Sequence, residues 1–193
     1  MKIANIASAG FLIELNNITF LTDPWFKGKG FLNSWAPLFS LSLNNIPRKI
    51  DYIWFSHEHP DHFNPISIKL LKNHLVKKPK IIFQSTINKR VSEWLKNEGF
   101  EVIEIECSQL LFISDIVLRI QCCGLYDSAL QIKNDQYCFT HLNDTQLKST
   151  NDLKGIKSFA NGKKHIVTSQ YGIASGLCSR RDNIGNLKVR EYK

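Results

Sequence analysis

Between Ser56 and Pro65 the chain reads Ser-His-Glu-His-Pro-Asp-His-Phe-Asn-Pro, placing three of its six histidines, His57, His59 and His62, around Asp61. In extended chain, side chains two apart point the same way, so His57 and His59 can approach one cation together. Pro60 then bends the chain, and Asp61 and His62 emerge in a new direction. One loop can thus offer two nitrogens to one metal and an oxygen and a nitrogen to a second. Imidazole and carboxylate together suit zinc, iron or manganese. A solvated, histidine-rich loop without a metal is the alternative.

The flanking residues are those that such a loop needs. Asp51-Tyr-Ile-Trp-Phe55 is aromatic and β-branched and reads as a buried strand. Asn64-Pro65 reads as a helix start, a capping side chain followed by proline at the first helical position. The pattern further back predicts strands over residues 2–6, 10–15 and 18–22, with Asn16-Asn17 as a hairpin turn. Residues 24–48 show little periodicity and hold Trp25, Phe26, Phe31, Trp35 and Phe39, which either line a pocket for an apolar or sugar group or pack the loop onto the body.

Beyond the histidines, Ile66, Leu70, Leu71 and Leu75 predict a helix from Pro65 to about Val76, with His74 on its solvent side. A strand over 80–84, a helix over 88–98 stopped by Gly99, and strands over 100–106 and 110–122 follow. A second hairpin turns at Asn134-Asp135 into a strand over 136–142, and 147–160 carries a weak helical pattern interrupted by Gly155. This alternation predicts an α/β fold, the first half of an αββα sandwich, in one domain spanning 1–193 with a basic tail over 179–193.

His-x-His-x-Asp-His after an apolar strand resembles the signature of the metallo-β-lactamase-fold hydrolases. Residues 9–26, running from Ala-Gly-Phe-Leu-Ile to Thr-Asp-Pro-Trp-Phe, look like that superfamily's opening hairpin and Thr-Asp-Pro turn. The branch most like this chain holds N-acyl-phosphatidylethanolamine phospholipase D, ascorbate-6-phosphate lactonase and the hydrolase-like part of CMP-N-acetylneuraminate hydroxylase. The resemblance runs from about Lys2 to about Gly176. It implies one or two metal ions, zinc or else iron or manganese, held by His57, His59, Asp61 and His62. Asp144 would bridge them, and Asp23 would orient a ligand histidine from behind. Read without the resemblance, Asp144 is equally a helix-capping residue and Asp23 a turn residue ahead of proline. The family's next histidine is replaced here by Cys123-Gly124-Leu125-Tyr126-Asp127, where Asp127 is a substitute oxygen ligand by position only. A last family histidine lies beyond the matched region, so the C-terminal part of the sandwich is expected to fall short of the full pattern. Gln170 and Tyr171 match residues that rim the substrate pocket.

Composition narrows the options. No run of eighteen apolar residues exists to span a membrane, and the N-terminus goes straight into strand pattern. Five cysteines without a Cys-x-x-Cys pair suggest neither a disulfide framework nor a zinc ribbon, so a cytoplasmic setting is expected. No Cys-x-His pair is present to hold a Rieske-type cluster. The net charge of +8 comes partly from Lys69, Lys72, Lys77, Lys78 and Lys80, read as a solvated helix face or as attraction for an anionic substrate. Together these readings predict a metal-dependent hydrolase of an ester, phosphodiester or lactone, with Asp61 as the catalytic carboxylate. Its substrate would be a small molecule or a lipid- or sugar-linked anion. A metal-binding or interaction protein that has lost its chemistry is the alternative, and a nuclease is a more distant one.

Overall fold

The computed structural model describes residues 1–37, 42–123, 127–145 and 150–169. The first sheet has six strands in sequence order: β1 (Lys2–Asn5), β2 (Phe11–Leu15), β3 (Ile18–Thr22), β4 (Tyr52–Trp54), β5 (Lys80–Gln84) and β6 (Glu101–Ile105). The opening hairpins are antiparallel, and from β3 to β6 every pairing is parallel. The second sheet runs β7 (Leu110–Ile113), β8 (Ile116–Cys123), β9 (Asp127–Lys133) and β10 (Tyr137–His141), antiparallel throughout, and ends with β11 (Lys164–Thr168) parallel to β10.

Three apolar layers hold these sheets in an αββα sandwich, the expected fold. Ile13, Phe20, Trp54 and Ile82 of the first sheet meet Leu118, Ile120, Leu130 and Phe139 of the second. On the outer face of the first sheet, α1 (Pro65–His74) and α2 (Arg90–Asn97) bury Ile68, Leu71, Val91 and Leu95 against Leu21, Ile53 and Ile81. On the outer face of the second, α3 (Thr150–Ala160) contributes Phe159 and Ala160 against Cys138. Strands buried on both faces read as near-continuous apolar runs, which is why Asp51–Phe55 and Lys80–Gln84 lack alternation.

Three local features depart from the sequence reading. Residues 110–122 are two strands, because Ser114 adopts a left-handed conformation (φ 55°) and turns the chain at Ser114-Asp115. Gly155 does not interrupt α3; its carbonyl accepts a hydrogen bond from Arg119 at 3.0 Å. His74 is half-buried rather than solvent-facing and donates from Nε2 to the Ile46 carbonyl (2.9 Å), tying the preceding loop to α1. Phe39, Gln170, Tyr171 and the 179–193 tail lie outside the described residues. Among the described residues no helix is long and apolar enough to cross a membrane.

Candidate metal centre

The histidine loop leaves the C-terminal end of β4, the end of a parallel strand where α/β sheets gather their ligands. The chain turns sharply, with the amides of His62 and Phe63 both donating to the His59 carbonyl (3.0 and 2.7 Å). It then enters α1 through the expected cap: Asn64 Oδ1 accepts from the amides of Ile66 and Ser67, and Asn64 Nδ2 donates back to the Pro60 carbonyl (3.1 Å). Helix start and loop are therefore fastened by one side chain.

Inside this frame the loop residues converge. His57 Nε2 lies 2.8 Å from His59 Nδ1 and 3.9 Å from Asp144 Oδ2. His62 Nε2 lies 3.4 Å from Asp61 Oδ2 and 3.7 Å from the same Asp144 oxygen. One atom of each of His57, His59 and Asp144 falls within 4.8 Å of the others. Ligand atoms on one tetrahedral cation sit roughly 3.3 Å apart, so shifts of about half an ångström would seat an ion here. Among the described residues, His62 Nε2 and Asp61 Oδ1 are buried with no hydrogen-bond partner, a costly state unless something else binds them. The donor set of imidazoles and carboxylates fits a divalent cation of the zinc, iron or manganese type.

The opposite nitrogens are tied off behind the centre. His62 Nδ1 is 3.0 Å from Asp23 Oδ2. Asp23, fully buried at the end of β3, also accepts from the Ser56 amide (2.8 Å) and the Ser56 hydroxyl (2.7 Å). Burial alone would push the Asp23 carboxyl up, but the charge and hydrogen bond of His62, with His141 and the Ser56 amide, hold it below its ordinary value. For His62 burial pulls the other way and is overcome by Asp23 and Asp61, which raise it to about 10. With no cation bound, a proton balances these carboxylates. Asp61 itself is held low, burial being outweighed by the charge and close approach of the His62 ring, 3.4 Å away. His57 is pushed down by burial and by its neighbour His62, against the pull of Asp144, Asp23 and Asp127.

The described residues singled out in the sequence can now be located. His57, His59 and Asp144 group together, His62 adjoins Asp144 and Asp61, and Asp23 lies behind His62. Asp127 lies 3.6 Å from Nδ1 of His57, the ring nitrogen opposite the one that faces His59 and Asp144. His141 stays in the core, with Nε2 donating to the Ala9 carbonyl (3.1 Å) and Nδ1 beside Thr168 Oγ1 (3.0 Å). Ser56 and Asn143 went unnoticed in the sequence, yet Ser56 Oγ lies 2.9 Å and Asn143 Nδ2 3.4 Å from His57 Nδ1.

The aromatic residues of the loop fall into a buried and a half-exposed group. Trp25 and Phe26 are buried, and Ser67 on α1 clamps their segment by accepting from the amides of Phe26 and Lys27. Phe31 and Trp35 stay half-exposed, edge to face at 4.8 Å, and Phe31 reaches His59 at 5.9 Å. Gly30 allows that approach, since a Cβ there would press on Pro60 at 3.2 Å. The lysines of α1 and its exit largely have carboxylate partners: Lys69 and Lys72 pair with Glu98, and Lys80 with Glu101. These pairs fit a solvated helix face for Lys69, Lys72 and Lys80.

An αββα sandwich with a His-x-His-x-Asp-His loop at its strand ends defines a metallo-β-lactamase-fold protein. The family described as "Beta-lactamase superfamily domain" matches residues 2–158, and this chain belongs to it. Among solved structures, the chain is similar to CmlA, a diiron beta-hydroxylase from Streptomyces venezuelae, with a TM-score of 0.68 and 14% identity over 86% of this chain and 33% of that one. It is also similar to a possible metal-dependent hydrolase from Veillonella parvula (TM-score 0.58, 17% identity, 86% of this chain, 84% of that one). An isothiocyanate hydrolase from Delia radicum gut bacteria matches at a TM-score of 0.59 with 16% identity over 82% and 68% of the two chains. A curated Mycolicibacterium smegmatis protein named as a Rieske 2Fe-2S iron-sulfur protein is 33% identical over 75 residues, 38% of this chain. The match spans only 14% of that relative's length.

Proposed function

We propose that this protein is a metal-dependent hydrolase that acts on an ester, phosphodiester or lactone carrying an apolar or sugar group. The observation that carries the reading is the convergence of His57 Nε2 and His62 Nε2 on a single Asp144 oxygen, at 3.9 and 3.7 Å. Two imidazoles aimed at one carboxylate, each backed by a partner on its other nitrogen, suit a pair of cations better than they suit each other.

His57 and His59 would hold one ion, Asp61 and His62 a second, and Asp144 would lie between them. When bound, such cations supply Lewis acidity and make a coordinated water more acidic. Asp61, ionised and with one buried oxygen free of protein partners, accepts the proton that the attacking water gives up. Asp23 holds the His62 ring in place from behind. Phe31 and Trp35 offer a half-exposed aromatic edge beside His59, suited to the apolar part of a substrate.

The test is metal analysis of the purified, folded chain together with turnover of aryl ester, bis-aryl phosphodiester and lactone probes. We expect at least one equivalent of zinc, iron or manganese, and at least one probe turned over. Asp61→Ala should lower that rate by about 10²-fold or more. Folded protein that takes up none of these metals overturns the reading; metal uptake without turnover leaves a binding protein instead.

A further inference from the structure

Ser56 makes more contacts at the centre than any spacing rule would suggest. Its hydroxyl is fully buried and touches three groups: Asp23 Oδ2 at 2.7 Å, His57 Nδ1 at 2.9 Å and His62 Nδ1 at 3.4 Å. A hydroxyl has one proton to give. Asp23 is an acceptor with no proton of its own to offer, so the Ser56 proton goes to Asp23. The lone pairs of Ser56 Oγ are then left to accept, and the nearer ring nitrogen is Nδ1 of His57 at 2.9 Å, His62 Nδ1 at 3.4 Å being paired with Asp23. For that contact to be a hydrogen bond, the His57 proton must sit on Nδ1, which leaves a lone pair on Nε2, the nitrogen facing His59 and Asp144.

Asn143 can accommodate the same assignment. It is fully buried and holds a left-handed backbone (φ 59°), which asparagine tolerates better than most residues. Its Nδ2 faces His57 Nδ1 at 3.4 Å while its Oδ1 has no hydrogen-bond partner among the described residues. A half-turn of the amide keeps the shape of the side chain and exchanges its oxygen and nitrogen. With the oxygen turned toward His57, the Nδ1 proton meets a second acceptor.

We propose that the Ser56 hydroxyl is a positioning group for the metal centre, passing its own proton to Asp23 and taking the Nδ1 proton of His57, so that His57 Nε2 is committed to the cation. Asp23 thereby governs both halves of the site, His62 by direct contact and His57 through Ser56. This rests on the metal reading above. The Ser56 backbone is fixed separately, its amide donating to Asp23 Oδ1 (2.8 Å) and its carbonyl accepting from Ser128 Oγ (2.8 Å). Ser56→Ala therefore removes the hydroxyl contacts alone.

The test uses the full chain and zinc. Chelator competition on wild type and Ser56→Ala should show the ion coordinated by His57 bound about 10- to 100-fold more weakly in the variant, with the ion at His62 within about threefold of wild type. Equal zinc affinity in the two proteins, at matching circular dichroism and melting temperature, overturns the inference while leaving the metal centre intact. Failure of the wild type to take up zinc, iron or manganese overturns the metal reading itself. A second measurement needs no variant. Nitrogen-correlated NMR of zinc-loaded wild type should find His57 protonated on Nδ1 and metal-bound through Nε2. The reverse assignment, a proton on Nε2 and zinc on Nδ1, overturns the inference.

Discussion

Each imidazole at the centre has two nitrogens, and the protein supplies each ring with a different neighbour on its inner side. For His62 it is a buried carboxylate, for His57 a serine hydroxyl, so the two rings differ in proton balance although they sit in one loop. His141 shows the contrasting case of a histidine used for packing. Burial pushes it below the ordinary imidazole value, and no carboxylate is hydrogen-bonded to it. The folded protein resists the proton that the unfolded chain accepts. The stability contributed by neutral His141 is thus fully present above about pH 6.5 and is lost as pH falls from there through the lowered folded value. His62, raised to about 10, works the other way and gains stability as pH falls toward 6.5. The effect of His141 is therefore read by comparing two proteins. Between pH 7.5 and pH 5.5 we expect His141→Gln, which has no titrating ring there, to lose less thermal stability than the wild type. Identical pH dependence of the melting temperature in the two proteins would contradict this. The loop histidines and Asp61 were legible in the sequence because ligand residue types at fixed short offsets carry a geometric meaning. Ser56 and Asn143 were not, because a serine before a histidine or an asparagine before an aspartate has no spacing of its own. Only their shared neighbour His57, next to Ser56 and 86 residues from Asn143 in the chain, gives them a role.

At the scale of elements, two connections decide how firmly the centre is held. Asn64 caps α1 and bonds back to Pro60 in the loop. Asn64→Ala should cost about 1 kcal/mol in urea unfolding and weaken zinc binding as the loop loosens. On the other side, α3 buries few apolar residues and is held instead by Arg119, which donates to Gln131 Oε1 (3.1 Å) and Gly155 O (3.0 Å) and lies over the Phe159 ring at 4.6 Å. Arg119→Ala should cost about 1–3 kcal/mol by the same measurement, since it removes a charged donor and leaves Gln131 short of a partner. The parallel strands, both early helices and the two asparagine hairpins were readable from period and turn chemistry. The Ser114-Asp115 turn was not, since neither residue is a strong breaker and the apolar alternation continues across it.

At the scale of the molecule, the two ends of the sandwich have different work. Opposite the metal loop, three hairpin tips are laced together: Asn16 donates to the Asp115 carboxylate and accepts from Asn134 Nδ2 (3.1 Å), joining the first sheet to the second. Asn16→Ala should lower the melting temperature while leaving metal affinity unchanged, because its contacts are at the far end from the site. The sandwich class was legible in the alternation of elements; the lacing was not, because it depends on which tips the two sheets bring side by side.

The metal end joins the same two sheets in a different order of events. His57, His59, Asp61 and His62 follow β4, while Asp144 follows β10, some eighty residues later in the chain. A ribosome delivers the first four donors well before the fifth exists. Ser128, which bonds the Ser56 carbonyl from β9, arrives late as well. An ion that met the growing chain early would find a floppy set of donors without the Asp144 carboxylate to close it, and could leave again. On the proposed metal reading, retention would begin only when the second sheet has folded over the first, so that cofactor acquisition would be timed by synthesis and come as the last step of assembly.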